Sequence, residues 1–153
     1  MRNCVLLIII VALLTNCGSS STSAIPSEVP LPENIESLDV NVAALLKQTT
    51  SAIQSKPTDA VKWGVHASAL FANGYFEPSV QSYAVALELD PERLQMRYIR
   101  AIGLWRLNRQ VEAILELEAV MKTAPEYDSG WRQLAIWQLE RGETISAEQS
   151  AMK

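Results

Sequence analysis

Residues 57–91 read PTDAVKWGVHASALFANGYFEPSVQSYAVALELDP, and this stretch decides the fold. It opens on Pro57 and closes on Pro91, and Pro125 follows at the same spacing of 34 residues. Aligned on these prolines, Trp63 and Trp131 lie two periods apart. Ala67, Ala101 and Ala135 recur every period, as do Ser79, Ala113 and Ala147, while Leu70 matches Leu104 and Gly74 matches Gly142. A unit of this length holds two helices, which cannot bury their apolar faces alone. Such units stack into one continuous core and present an extended surface rather than a catalytic pocket.

The local chemistry supports the same units. Thr58 and Asp59 after Pro57, and the run Asp90, Pro91 and Glu92, are helix starts: a capping oxygen, a proline tolerated in the first turn, and carboxylates at the positive end of the dipole. Asn73-Gly74, Asn108-Arg109 and Arg141-Gly142 break the helical pattern midway through each unit, where Asn and Gly tolerate the left-handed backbone of a helix end. Each unit is therefore expected to be a helical hairpin. Ala67, Ala101 and Ala135 let its two helices approach, and Trp63, Tyr83 and Trp131 are expected to fill the bulkier parts of the core.

These residues resemble the tetratricopeptide repeat family. The first unit carries Trp63, Ala67, Leu70, Gly74, Phe76, Ser79, Tyr83, Ala86 and Pro91 at the signature places, with His66 and Ala67 where the family has leucine and glycine. The second has Arg97 in place of the tryptophan but keeps Ala101, Leu104, Ala113, Leu117, Val120 and Pro125; the third shows Trp131, Leu134, Ala135, Gly142 and Ala147. The resemblance covers residues 58–153 and implies an all-α stack of about three helical hairpins. Before it, Val42, Leu45, Leu46, Thr49 and Ile53 share one helical face, with Ser37, Asp39 or Asn41 available as the start. Residues 38–57 are accordingly read as one helix capping the first unit.

The chain begins Met1-Arg2-Asn3 and continues with an apolar run from Val5 to Leu14. Ten apolar residues fall short of the ~20 needed to span a bilayer as a helix, but they suit an export signal over residues 1–16. After the run come Thr15, Asn16 and Cys17, then Gly18 and a serine-rich stretch; this resembles a bacterial lipoprotein signal, which implies a lipidated Cys17. Asn16 departs from that pattern, in which a small residue precedes the cysteine. Gly18 is not the aspartate that retains such proteins in the inner membrane, so the resemblance implies an outer-membrane anchor facing the periplasm. Cys4 would leave with the signal, and a single remaining cysteine forms no internal disulfide. Residues 17–37, rich in Ser, Thr and Pro, read as the lipidated N-terminus and a flexible linker.

The formal net charge is −4, and acidic residues interleave with arginines along the helices, so no basic stripe for nucleic acid exists. One histidine, His66, and no glycine-rich phosphate loop argue against a metal cluster, a histidine-based triad or a nucleotide site, and His66 itself reads as a half-buried packing residue. The expectation is a non-enzyme without cofactor or metal.

In the family the first helix of each unit lines a concave groove that takes a protein or peptide. Carried over by register, Phe71, then Tyr98, Ile102, Trp105 and Arg106, then Arg132, Ile136 and Leu139 form an apolar strip with two cations to meet a carboxylate. Trp105 and Ile136 are equally open to being interhelix core. Gly64, Ser68 and Ala72 occupy the places where chaperone-binding members carry a carboxylate clamp, so a chaperone tail is not expected. The implied role is an adaptor or assembly factor of the kind that helps build pilus secretins or tethers cell-wall enzymes. The alternative is a non-catalytic subunit of a larger envelope enzyme or a secretion or pilus complex. The last helix, about 144–153, carries few apolar residues, and a partner or second copy is expected to cover that edge near Trp137 and Leu139.

Overall fold

A computed structural model describes residues 25–153. The signal segment and Cys17 lie outside the described residues. Within them the chain forms seven α-helices and a short 3-10 turn at Ile35–Ser37, with no strand. Helix α1 (Val40–Ser55) stands first, and three hairpins follow: α2 (Ala60–Ala72) with α3 (Phe76–Leu89), α4 (Leu94–Arg106) with α5 (Gln110–Thr123), and α6 (Asp128–Glu140) with α7 (Thr144–Ala151). Each hairpin packs on the next through α3 against α4 and α5 against α6, and α1 covers α2. The fold is the stack of helical hairpins that the period implies, of the tetratricopeptide-like kind that the resemblance implies.

The turns repeat at atomic detail. Gly74, Asn108 and Gly142, one period apart, have φ of 82°, 60° and 79°. Each left-handed residue returns the chain so that the next amide reaches the carbonyl five residues back: Tyr75 to Leu70 at 3.0 Å, Arg109 to Leu104 at 2.9 Å, and Glu143 to Gln138 at 2.8 Å. This is the glycine-type helix end, and Asn108 adopts it because asparagine tolerates the left-handed region.

The starts are less uniform. Asp39 caps α1, its Oδ1 accepting from the amides of Asn41 at 2.8 Å and Val42 at 3.4 Å, and Asp59 caps α2 through the amide of Val61 at 3.1 Å. The expected start at Asp90 is different. Helix α4 begins at Leu94 without a side-chain cap, and the Asp90 carboxylate accepts from Arg93 Nε at 2.7 Å instead. An adjacent guanidinium outcompetes a neutral amide for that carboxylate.

Trp63, Ala67, Leu70, Tyr83 and Ala86 of the first unit are essentially inaccessible, as are Ala101, Leu104 and Leu117 of the second. Ser79, at the alanine position, is buried without penalty because its hydroxyl donates to the Ala67 carbonyl at 2.8 Å. Trp131, expected in the core, is only half-buried.

Residues 25–37 do not form the contact-free linker that their composition suggests. Ile25 and Val29 pack on the cluster of Ile53, Trp63, Val85 and Ala86. His66, fully buried rather than half-buried, holds the segment in place: its Nε2 lies 2.9 Å from the Pro30 carbonyl and its Nδ1 lies 2.7 Å from Thr49 Oγ1 of α1. Burial pushes the imidazole below its ordinary pKa, only partly opposed by the Pro30 bond.

Candidate partner-binding surface

The eight strip residues all fall on first helices, Phe71 on α2, Tyr98, Ile102, Trp105 and Arg106 on α4, and Arg132, Ile136 and Leu139 on α6. Three contacts bring those helices side by side. Met96 of α4 covers Gly64 of α2, the Phe71 ring lies beside Gly103 of α4, and Trp105 stacks on Trp137 of α6 with centroids 4.6 Å apart and planes 5° from parallel. A Cβ at residue 64 would displace the flexible end of Met96, and one at residue 103 would press on Val80 of α3.

Within the strip the structure separates two kinds of residue. Phe71, Tyr98, Ile102 and Trp105 are half-buried and engaged in packing: Phe71 meets Phe76 edge to face at 5.4 Å, Tyr98 meets Tyr127 edge to face at 5.5 Å, and Ile102 and Trp105 lie against the main core. Burial and the neighbouring Tyr127 raise the Tyr98 pKa, so it stays a neutral phenol. Arg106 and Arg132 are exposed, and Ile136 and Leu139 keep 45% and 60% of their surface accessible, enough to meet a partner without unfolding anything. Trp137, expected to be open to a partner at the edge, is 3% exposed because Trp105 covers it.

Cavities near the strip are small. Tyr98 shares one of about 190 Å³ with Tyr127, and Arg132 and Ile136 share another of about 390 Å³ with Asp128 and Ala151. A larger groove of about 750 Å³ lies between α5, α6 and α7 and includes none of the eight; sequence reasoning missed its residues Trp131, Gln138 and Gln149. The available signal was Gln138, a polar residue at the place held by Leu70 and Leu104. Among the described residues no cluster of three His, Cys, Asp or Glu side chains could hold a metal, and no helix is long and apolar enough to cross a membrane.

A scan against protein-family models and a search of curated proteins find no match. Among solved structures the chain is similar to a crystal structure of MamA, with a TM-score of 0.66 and 14% identity, and to a MamA RS-1 ArsTM double mutant, with a TM-score of 0.63 and 21% identity. In both cases the match covers 69% of this chain and 61% of the other, so the chain spans about three fifths of the length of those proteins. At such identity the likeness concerns the fold, a tetratricopeptide-like helical repeat.

Proposed function

We propose that this chain is a lipid-anchored adaptor of the bacterial envelope, tethered by Cys17 to the outer membrane and holding a protein or peptide client in the periplasm. The observation that carries this reading is the exposed pair Ile136 and Leu139 on α6, with Arg132 lining one cavity with Ile136 and Arg106 exposed at the end of the adjoining first helix α4. Apolar side chains left accessible next to a guanidinium group suit a client that brings apolar residues and a carboxylate. The address rests on the apolar run that precedes Cys17.

A second reading, a non-catalytic subunit of a larger envelope enzyme or a secretion or pilus complex, draws on the C-terminal edge. Ile145 and Met152 are 73% and 78% exposed there. Pull-down from solubilised membranes with the lipidated chain, followed by identification of bound proteins, tests both. An adaptor recovers a client in amounts that Leu139→Ser reduces, whereas a subunit recovers a fixed complex insensitive to that change. Cys17→Ala should shift the protein from the membrane to the soluble fraction, since attachment depends on acyl chains; retention of this variant after salt washing would refute the anchor.

A further inference from the structure

The 34-residue period creates three register-equivalent grooves, one per hairpin, and they are filled in three different ways. The first lies between α1, α2 and α3. It is occupied by the chain's own residues 25–31, with Ile25 and Val29 on the cluster that includes Ile53 and Trp63, and the Pro30 carbonyl on His66. Pro26, Val29, Pro30 and Leu31 also line one cavity with Gln81 of α3.

One period on, the second groove holds Arg97 and Arg100 at the places of Trp63 and His66. Both guanidiniums turn to Glu116 of α5, Arg100 in direct ion pairing and Arg97 at 3.9 Å, and the remaining space is about 250 Å³. Charge fills this groove.

The third groove returns to the pattern of the first. Met121, Trp131, Gln149 and Ser150 stand two periods after Ile53, Trp63, Gln81 and Ser82, and all four line the open groove of about 750 Å³. The departures matter as much. Leu134 replaces His66, while Gln138 replaces Leu70; Gln138 is 4% exposed, and its Oε1 accepts from Ser150 Oγ at 2.8 Å. With its oxygen so engaged, the carboxamide has its N–H groups left to donate. Lys122 and Lys153 stand where the first groove has Gln54 and Val85, and Glu118 lines the groove with them.

We infer that the groove between α5, α6 and α7 binds an extended, proline-containing apolar peptide of a partner protein, seated as residues 25–31 are seated in the first groove. Trp131, Met121 and Leu134 take its apolar side chains, and Gln138 donates to a backbone carbonyl as His66 does in the first groove, though from one turn further along the first helix. Seven extended residues span about 23 Å, and backbone anchoring with alternate apolar pockets is a recurrent way of holding such a segment. This groove includes none of the eight strip residues, but Trp131, Ser150 and Lys153 also line the cavity that holds Arg132 and Ile136, so the two readings are told apart by Gln149→Trp and Leu139→Ser, which lie outside the shared residues.

The test uses the full chain and a fluorescein-labelled peptide of the sequence of residues 24–33, followed by anisotropy. Gln149→Trp, an exposed position that would fill the third groove without touching the core, should weaken binding at least tenfold. Gln81→Trp, its counterpart in the first groove, and Leu139→Ser on the strip should leave affinity within twofold. Circular dichroism confirms that the variants fold. Absence of binding up to ~1 mM peptide overturns the proposal. So does loss of binding in Gln81→Trp but not in Gln149→Trp, which means that the peptide merely exchanges with the chain's own segment. Concentration-dependent self-association abolished by Gln149→Trp would make the occupant a second copy and overturn the choice of a foreign partner.

Discussion

Arg97 donates from Nη2 to the Pro91 carbonyl at 3.3 Å, the bond that tryptophan makes in the units on either side. Trp63 Nε1 donates to the Pro57 carbonyl at 2.7 Å and Trp131 Nε1 to the Pro125 carbonyl at 2.8 Å, each across the same six residues. The most degenerate repeat has lost the indole and kept the tie between first helix and preceding loop. Arg97→Ala removes that tie and the contact with Glu116, and should cost about 1–2 kcal/mol. Arg97→Trp restores a donor in the same place and should stay within about 1 kcal/mol of the parent. Urea denaturation measures both, and equal stability of Arg97→Ala and the parent would show that the bond contributes nothing.

The buried His66 makes stability depend on pH. The Pro30 carbonyl only accepts, so the Nε2 nitrogen carries the proton, and Thr49 donates to Nδ1 in competition with the Leu46 carbonyl at 3.1 Å. Because burial lowers the folded-state pKa below the ordinary value of 6.5, the unfolded chain takes up the proton first. Full stability is therefore present above the ordinary value and is lost as pH falls through the depressed one, at no more than ~1.4 kcal/mol per pH unit. His66→Leu should flatten this dependence between pH 7 and pH 5. An equal slope in the variant and the parent would assign the effect to other groups.

Trp105 and Leu139 should separate folding from binding. Trp105→Ala uncovers Trp137 and should lower stability by about 2–4 kcal/mol, so its effect on a client cannot be read apart from folding. Leu139→Ser, at a residue 60% exposed, should change stability by less than about 0.5 kcal/mol. Thermal melts decide the point: a cooperative, unshifted transition in Trp105→Ala would mean that the indole stack is dispensable and Trp105 is free to bind.

Helix α7 should open before the rest of the stack. Its eight residues bury only Ala147 and Ser150, and a helix this short is marginal without tertiary support. Hydrogen exchange of the monomer should show amides 146–151 exchanging well before those of α3 and α5. Comparable protection would establish the edge as self-sufficient, while protection gained on adding a partner would locate contact there.

Hairpins, turns and period were legible because they rest on local chemistry. Gly74, Asn108 and Gly142 need only their own backbone freedom to end a helix, and Asp39 and Asp59 reach amides two or three residues away. The fate of Asp90 was not legible, because its cap depended on whether Arg93 would take the carboxylate first. Nor could helical spacing tell Trp105 from Leu139. Both lie on the same face of a first helix, and only the position of Trp137 across the interface makes one a packing residue and leaves the other accessible. The segment around Pro30 shows the same division. Its composition signals an extended chain without helix or strand, and that much is intrinsic to its residues. Its docking depends on a groove that exists only once α1, α2 and α3 have met and His66 is buried among them, an arrangement of residues distant in sequence that no local pattern encodes.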